Sequence, residues 1–479
     1  MAEEKWQPSP SLPSPDLGTG VIGWLRQNLF STPGNSLLSL LGIAILVVTV
    51  PPFVQWAILQ ANWFGDSRAV CDAAAAEGST GACWVFINVR MDVFLYGFYP
   101  ELERWRVNYT ALVLGFSLIP LLLPDWFKGV RNQIVLGLVG TVCALAIFGV
   151  IPAAFMAAYL FMPLLLVRIP GADIGGLASG QGALSNVMRL ALAAGVGVAL
   201  YYLVFFLVEQ NAAFPIALAG TMTVLVPLFM GRLSATIWRW ALLFTVFPVF
   251  AYFMLSGDVF GLTHVETHYW GGLFLSLVVS GTGLGSALPI GILLALGRRS
   301  ELPVIRVSCV TFIEFIRGVP LVSVLFLASV MFPLFLPDNL TIDKLLRALV
   351  GIAFFYAAYM AEVIRGGLQA IPKGQYEAAE ALGWTYWKMM GVIILPQTLR
   401  LVIPGLSNNF LSLLKDTTLV AVIGLLDLLG IAKAAMADTE WLGFTKEAYI
   451  FAGIVFWILC FAMSRYFLYL EKKYHMNYQ

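Results

Sequence analysis

Eleven long stretches of this chain contain no Asp, Glu, Lys, Arg or His. A bilayer core is roughly 30 Å thick, so a helix that crosses it needs about 20 apolar residues. Membrane barrels show alternating segments of about ten residues, so continuous uncharged runs favour helices. The runs predict an all-α, polytopic helical membrane protein. They are Ser36–Ala61, Val107–Pro124, Gln133–Val167, Leu190–Val208, Gln210–Gly231, Trp240–Gly257, Tyr269–Gly297, Gly318–Pro337, Ala348–Ala361, Leu401–Leu414 and Ala448–Ser464.

The composition narrows the class of protein further. Of the 479 residues, 60% are hydrophobic and only 11% are charged, against about 25% charged residues in an ordinary soluble domain. These values exclude a disordered chain, a nucleic-acid-binding protein and an ordinary cytosolic enzyme. The formal net charge of +1 indicates no acidic partner. We therefore expect the lipid bilayer as the surroundings and no nucleic acid as a partner.

The positions of the charges predict a topology. A single helix over Gln133–Val167 would overshoot the membrane at ~1.5 Å per residue, so we expect this run to divide near Pro152. The hydropathy then predicts about twelve spans, with a range of about ten to twelve. Placing both termini in the cytoplasm puts 19 of the 28 Lys and Arg residues on the cytoplasmic side and 9 outside. The positive-inside rule favours this orientation.

Three segments follow from the same pattern. Residues 1–35 are polar and rich in Pro and Ser, without a signal-peptide cleavage site, and predict a disordered cytoplasmic tail. Residues 36–268 predict an N-terminal transmembrane extension with an external loop at 62–108. Residues 269–479 contain the remaining spans and most of the polar motifs.

The cysteines and histidines offer few candidate sites. Cys71 and Cys83 lie in the external loop, where either a disulfide or two unpaired thiols is compatible with the sequence. His264 and His268 are spaced as zinc ligands on a helix would be, but no third ligand is evident. We expect two solvated loop histidines and no metal site. The chain also has no P-loop motif, so it binds no ATP through such a loop.

A polar stretch between two apolar runs, residues 362–400, is the most informative part of the sequence. Pro372 and Gly374 interrupt the preceding helix, and Gln375–Leu382 is rich in strong helix formers. Gly383 is placed to end this short helix with a left-handed residue. The pattern predicts a short cytoplasmic helix between two membrane segments, suited to docking in a partner's groove and passing on rigid-body motion. The alternative is a surface helix in an ordinary loop.

The spacing within this stretch resembles the EAA loop of ABC-importer permeases. The matching residues are Glu377, Ala378, Ala379, Gly383, Ile393, Leu395 and Pro396. The resemblance implies a five-helix, type I ABC-importer permease core at the C-terminal end, over 269–479. It also implies that the loop 366–397 forms a coupling helix that docks in a cleft of a separate ATPase subunit.

Further motifs resemble those of polar-amino-acid permeases. Glu314-Phe-Ile-Arg317-Gly-Val-Pro-Leu matches E-x-x-R-G-x-P-L, and the segment around Glu362 and Arg365 matches A-Y-x-A-E-x-x-R-G-G. The segment that begins with Lys415, Asp416, Thr417 and Thr418 matches K-D-T-[ST]-L. The motifs fall within residues 269–474. The long extension in front departs from the minimal pattern and resembles the general L-amino-acid permeases, although its role is not implied by these motifs.

Two interpretations remain open for the charged residues. Glu314 with Arg317, and Glu362 with Arg365, are spaced i, i+3, so each pair could neutralise itself or contact substrate. Lys415 and Asp416 supply one cation and one anion, as a zwitterionic amino acid requires. With Thr417 and Thr418 they are candidates for the substrate path, or they form a solvated loop at the end of a span.

The resemblance implies a permease subunit in a bacterial inner membrane that imports L-amino acids and is not itself an enzyme. The implied partners are a cytoplasmic ABC ATPase dimer, a second permease chain that is a related rather than an identical subunit, and a periplasmic amino-acid-binding protein. ATP and magnesium would be bound by the ATPase, with no cofactor on this chain. The rival functions are an ion-coupled secondary transporter, which would tend to show inverted repeats, and a membrane enzyme, for which no catalytic constellation is evident.

Overall fold

The structure is a computed structural model that describes residues 21–78, 81–127, 129–168, 235–257, 262–337 and 342–474. Throughout these ranges the regular elements are helices, joined by turns and isolated β-bridges. The predicted all-α class is therefore confirmed. The two uncharged runs predicted as spans within 190–231, and residues 1–20 of the predicted tail, lie outside the described residues.

One compact unit consists of the described residues within 21–90 together with 438–447. Its described helices are α1 (Val21–Asn28), α2 (Pro33–Val54, continued by a π-turn to Leu59), α3 (Ala69–Ala76) and α4 (Trp84–Val89). The described end of the predicted tail thus contains a helix, and α2 begins before the tail's predicted end. The reason is local, since the Thr32 hydroxyl accepts the Asn35 N–H at 3.2 Å and Pro33 occupies the first turn.

Within this unit, distant segments are joined covalently and by packing. Cys71 and Cys83 form a disulfide with their Cα atoms 5.9 Å apart. The Cys83 N–H donates to the Glu447 carboxylate at 3.1 Å. The ring of Phe86 lies 5.2 Å from the ring of Trp441. Residues 62–90 therefore fold together with a segment that lies far along the chain.

The second unit consists of the described residues within 91–437 and 448–474. Its extension contains α5 (Met91–Tyr96), α6 (Arg104–Leu122), α7 (Val130–Phe148), α8 (Val150–Arg168) and α9 (Ala235–Ser256). The predicted break near Pro152 lies instead at Gly149, whose φ of +88° suits glycine. Pro152 stands in the first turn of α8, where a missing N–H costs nothing.

The core helices follow in the same unit. They are α10 (Gly272–Arg298), α11 (Pro303–Gly318), α12 (Leu321–Phe326), α13 (Lys344–Ala370), α14 (Lys373–Ala381), α15 (Tyr386–Met389), α16 (Leu395–Leu401), α17 (Ile403–Asp416), α18 (Leu428–Met436) and α19 (Thr445–Tyr474). Six helices of the described chain are long and apolar enough to cross a membrane, or eight if each of two bent pairs is one span. The predicted number of twelve is not confirmed.

Two bent pairs of helices lie at the starts of runs that the sequence predicted as spans, Gly318–Pro337 and Leu401–Leu414. The chain turns by 108° between α11 and the helix that follows Pro320, and by 66° between α16 and α17. Val319 is extended, with φ −108° and ψ 135°, because a residue before proline avoids the helical region. Pro320 is the extended residue before α12, whereas Pro404 stands in the first turn of α17. The proline positions thus break helices inside apolar sequence.

Glycines bring α10 and α13 into close contact. A Cβ at Gly291 would lie 2.6 Å from the Cβ of Met360 and 3.1 Å from the carbonyl oxygen of Ala357. No side chain larger than hydrogen fits there without a backbone shift. This close approach sets the separation of the two helices that carry Arg298 and Glu362.

The disulfide gives a direct prediction. The chain has five cysteines, of which Cys143, Cys309 and Cys460 are free. Maleimide labelling in denaturing detergent, read by mass spectrometry, should therefore count three thiols before reduction and five afterwards. Cys71→Ser should count four in both states, and the Cys71→Ser/Cys83→Ser control should count three in both. Five thiols in unreduced wild-type protein would exclude the bridge.

Candidate functional site

The polar interruption forms a short helix between two apolar segments. Helix α13 stops at Ala370 because Ile371, which precedes a proline, is extended with φ −72° and ψ 127°. Pro372 caps the next helix, α14, with φ −57° and ψ 138°. The predicted short helix is thus present, and its Ala, Glu and Gln content explains why it forms.

Gly383 ends α14 as the sequence predicted. Its φ is +70°, and its N–H donates to the carbonyl of Glu380 at 2.8 Å. The Trp384 N–H donates back to the carbonyl of Ala379 at 3.2 Å. These two hydrogen bonds are the Schellman arrangement, which requires a left-handed residue at the glycine position. The turn therefore sets the direction in which the chain leaves α14.

The outer face of α14 and its following turn is exposed. Glu377 and Ala378 are exposed, and Leu382 and Trp387 expose 72% and 69% of their surface. In contrast, Ala379 is 1% exposed and packs in the hydrophobic core. The face presents the carboxylates of Glu377 and Glu380, small residues and large apolar side chains outside the chain's own core. That combination suits docking against another protein surface.

The remaining motif residues lie on the inner side of this element. Ile393 and Leu395 pack against the core, and Pro396 stands in the first turn of α16. The EAA-type residues are thus divided between an exposed face, a turn and a packed anchor. Sequence spacing identified these residues but not this division.

A tyrosine and an arginine join α14 to the end of α10. Arg299 donates to the Tyr376 hydroxyl at 3.1 Å, and its guanidinium lies 5.5 Å from the centre of the same ring. The Tyr376 hydroxyl in turn donates to the carbonyl of Leu368 at 3.1 Å. Neither Arg299 nor Tyr376 was among the residues that the sequence motifs indicated. The sequence signal for this contact is the pair of adjacent arginines, 298 and 299, that follows a long apolar run.

Five charged side chains from three helices meet in an Arg–Glu cluster. Glu362 pairs with Arg365 one turn along α13, and also faces Arg298 at 3.3 Å and Arg317 at 3.7 Å. Arg298 reaches Glu314 at 2.9 Å. The Glu362 side chain is 24% exposed, so salt screens its pairs less than it would screen surface pairs.

The cluster changes the predicted pairing. Glu314 and Arg317 could neutralise each other or contact substrate by their spacing, but they bind Arg298 and Glu362 on neighbouring helices. Arg317 turns toward α13, where its guanidinium lies 5.7 Å from the ring of Tyr359. The Glu362–Arg365 pair does form within one helix. Sequence spacing shows neighbours along a helix, whereas partners on other helices depend on packing.

The Lys415 segment lies where α17 gives way to a 3₁₀ turn over Thr417–Ile423. The Asp416 carboxylate accepts the Tyr356 hydroxyl at 2.5 Å. Thr417 and Thr418 donate to carbonyls one turn earlier, at 2.9 Å each. Lys415 is exposed. The two charges thus differ, since Asp416 is held by α13 and Lys415 projects from the end of α17.

The loop histidines do not assemble with further ligands. His268 Nδ1 lies 2.8 Å from a Glu266 carboxylate oxygen. Over the described ranges, no three His, Cys, Asp or Glu residues are grouped as a metal site would require.

Comparisons with known proteins show which family the sequence resembles. Residues 287–476 match the family described as binding-protein-dependent transport system inner membrane component. The Escherichia coli (strain K12) inner membrane amino-acid ABC transporter permease protein YhdY is 39% identical over 97% of this chain and 96% of its own length. The Rhodobacter capsulatus glutamate/glutamine/aspartate/asparagine transport system permease protein BztC is 37% identical over 96% and 95%.

Shorter matches cover the C-terminal part. The Bacillus subtilis probable amino-acid ABC transporter permease protein YckA is 34% identical over 42% of this chain and 87% of its own length. A crystal structure of an amino acid ABC transporter with histidines is 30% identical over 42% of this chain and 92% of that chain, with a TM-score of 0.38. The matches to YhdY and BztC include the N-terminal extension. The chain belongs to the amino-acid ABC transporter permeases, the membrane-spanning subunits of ABC-type amino-acid transporters.

Proposed function

We propose that this permease moves L-amino acids from the periplasm to the cytoplasm, driven by ATP that a separate ATPase dimer hydrolyses. The observation that carries the proposal is α14, a capped helix between two apolar segments with an exposed face. In this proposal Glu377, Ala378 and the turn at Gly383 contact the ATPase. The chain itself performs no covalent chemistry and binds no cofactor, while ATP and magnesium reside in the ATPase.

The partners follow from the same role. A periplasmic binding protein delivers the amino acid, and a related second permease chain completes the pore. Both termini lie in the cytoplasm of a bacterial cell, with the chain in the inner membrane. The relative BztC is named as a glutamate/glutamine/aspartate/asparagine transport system permease. This name supports polar amino acids as the substrate class. Lys415 and Asp416 with the two following threonines lie on the substrate path.

One experiment tests the whole proposal. The permease should be purified with its candidate ATPase and second permease chain, reconstituted in liposomes, and supplied with the binding protein and labelled amino acids. We expect uptake that requires ATP and persists when ion gradients are collapsed. Uptake driven by an ion gradient without ATP would instead establish a secondary transporter.

Gly383→Val tests the turn after α14. A left-handed conformation costs a β-branched residue roughly 1–2 kcal/mol, so the turn should change direction. We expect normal membrane insertion and a loss of the co-purified ATPase, measured by stoichiometry after affinity purification. Gly374→Val is the matched control, because the added Cβ meets nothing within 4 Å at either glycine and Gly374 has no positive φ. Equal ATPase retention in both variants would contradict the assignment.

Glu377→Lys tests the exposed carboxylate of the motif. Charge reversal on a docking face costs affinity because like or unpaired charges replace a complementary contact. We expect at least a tenfold lower affinity for the ATPase, roughly 1.4 kcal/mol. Glu101→Lys makes the same charge change on an exposed residue of the predicted external loop, away from α14, and should bind normally. A similar loss in both variants would indicate a general charge effect.

Lys415→Gln tests the substrate path. If the ammonium meets the carboxylate of the amino acid, its removal should raise the KM for uptake about tenfold, because a charge-assisted contact is lost. ATPase association should not change. The exposed Lys433, changed to Gln, is the control. An unaltered KM in Lys415→Gln would remove this residue from the path.

A further inference from the structure

Two neighbouring arginines at the end of α10 have partners in different places. Arg299 binds α14 through the Tyr376 hydroxyl. Arg298, the residue before it, binds Glu314 on α11 and Glu362 on α13. One helix end therefore contacts both α14 and the Arg–Glu cluster, with no flexible segment between the two contacts.

The contact to α14 has geometry suited to transmitting a displacement. The Arg299 guanidinium lies over the Tyr376 ring and also donates to its hydroxyl, so it resists both sliding and separation. It lies 3.4 Å from the carbonyl oxygen of Leu368 as well. Tyr376 donates to that same carbonyl. Three elements therefore share one small network, and a shift of α14 pulls on the end of α10.

The Arg–Glu cluster has geometry suited to holding helix ends together. Glu362 on α13 binds arginines from α10 and α11 besides Arg365 of its own helix, so separation of α10 or α11 from α13 removes one of its partners. Arg298 alone is shared between two carboxylates on different helices. Its loss would leave Glu314 and Glu362 without the cation that joins them.

We propose that Arg298 and Arg299 are positioning residues that connect α14 to the Arg–Glu cluster, which acts as a latch between helix ends. Movement of α14 shifts the end of α10 through Arg299, and Arg298 then leaves or rejoins Glu314 and Glu362. The Arg–Glu cluster is closed in this structure and holds α10, α11 and α13 together, and its opening accompanies the passage of the amino acid into the cytoplasm. This proposal rests on the proposed function, since it needs an ATPase that moves α14.

The test measures ATP hydrolysis and amino-acid uptake together in proteoliposomes that contain the complete transporter. The readout is the number of amino acids moved per ATP hydrolysed, which a purely structural role would not change in assembled complexes. Arg298→Gln should lower this ratio about tenfold while hydrolysis continues, because the helices are no longer held to the motion of α14. Arg306→Gln, an exposed arginine on α11, should keep the wild-type ratio.

Two further variants separate the latch from general damage. Arg298→Lys keeps the charge but lacks the guanidinium fork, so it should retain an intermediate ratio, about two- to fourfold below wild type. It also serves if Arg298→Gln fails to assemble. Tyr376→Phe removes the hydroxyl that binds Arg299 while keeping the ring, and should lower the ratio about threefold.

The double variant Arg298→Gln/Tyr376→Phe tests whether the Arg299–Tyr376 contact acts through Arg298 and the Arg–Glu cluster. If they do, its ratio should equal that of Arg298→Gln alone, since the second contact has nothing left to transmit. Losses that multiply would show two independent roles and overturn the proposal. An Arg298→Gln ratio equal to that of Arg306→Gln would also overturn it, with the proposed function intact. A wild-type complex without ATP-dependent uptake would refute both proposals.

Discussion

Backbone amides within a bilayer find no water, and each unpaired N–H or C=O there costs several kcal/mol. This constraint explains why the long uncharged runs that the structure describes are helical, and it also limits where those helices can stop. Breaks lie at prolines and glycines, whose own geometry accounts for them. Gly149 turns the chain between α7 and α8, and Pro320 bends it after α11. The polar site stands where the apolar runs end, since only there do charged groups reach partners or water.

The same constraint explains why the charges are shared. An arginine at the end of an apolar helix is least costly when carboxylates surround it. Arg298 achieves this with acids from two other helices, and Arg106 in the extension does so with Glu103 at 2.7 Å. Arg106 is 1% exposed and also donates to Thr263. Ion pairs between helices thus position the elements as well as neutralise them.

Sequence patterns predicted the helical class and the short helix before Gly383, and they identified the family motifs. Each of these depends on residues that are close together in the chain. They placed the α7–α8 break three residues too late, since proline is a visible helix breaker but tolerates the first turn. They left Glu314 and Arg317 open as an ion pair or as substrate contacts, and they did not indicate Arg298 and Tyr376 as partners. The contacts of Arg298 and Tyr376 depend on the close approach of α10 to α13 and on the position of α14. Hydrophobic periodicity along the chain predicts neither of these.

The unit that contains the disulfide has a consequence for the order of assembly. Residues 62–90 are synthesised early, yet their packing partners Trp441 and Glu447 are among the last parts of the chain to emerge. Arg90 likewise pairs with Asp438, which lies 348 residues later in the sequence. The Cys71–Cys83 bridge joins residues only 12 apart in sequence and needs neither partner. A local crosslink therefore restrains residues 71–83 before residues 438–447 exist, and the unit can be completed only after that later segment has been synthesised.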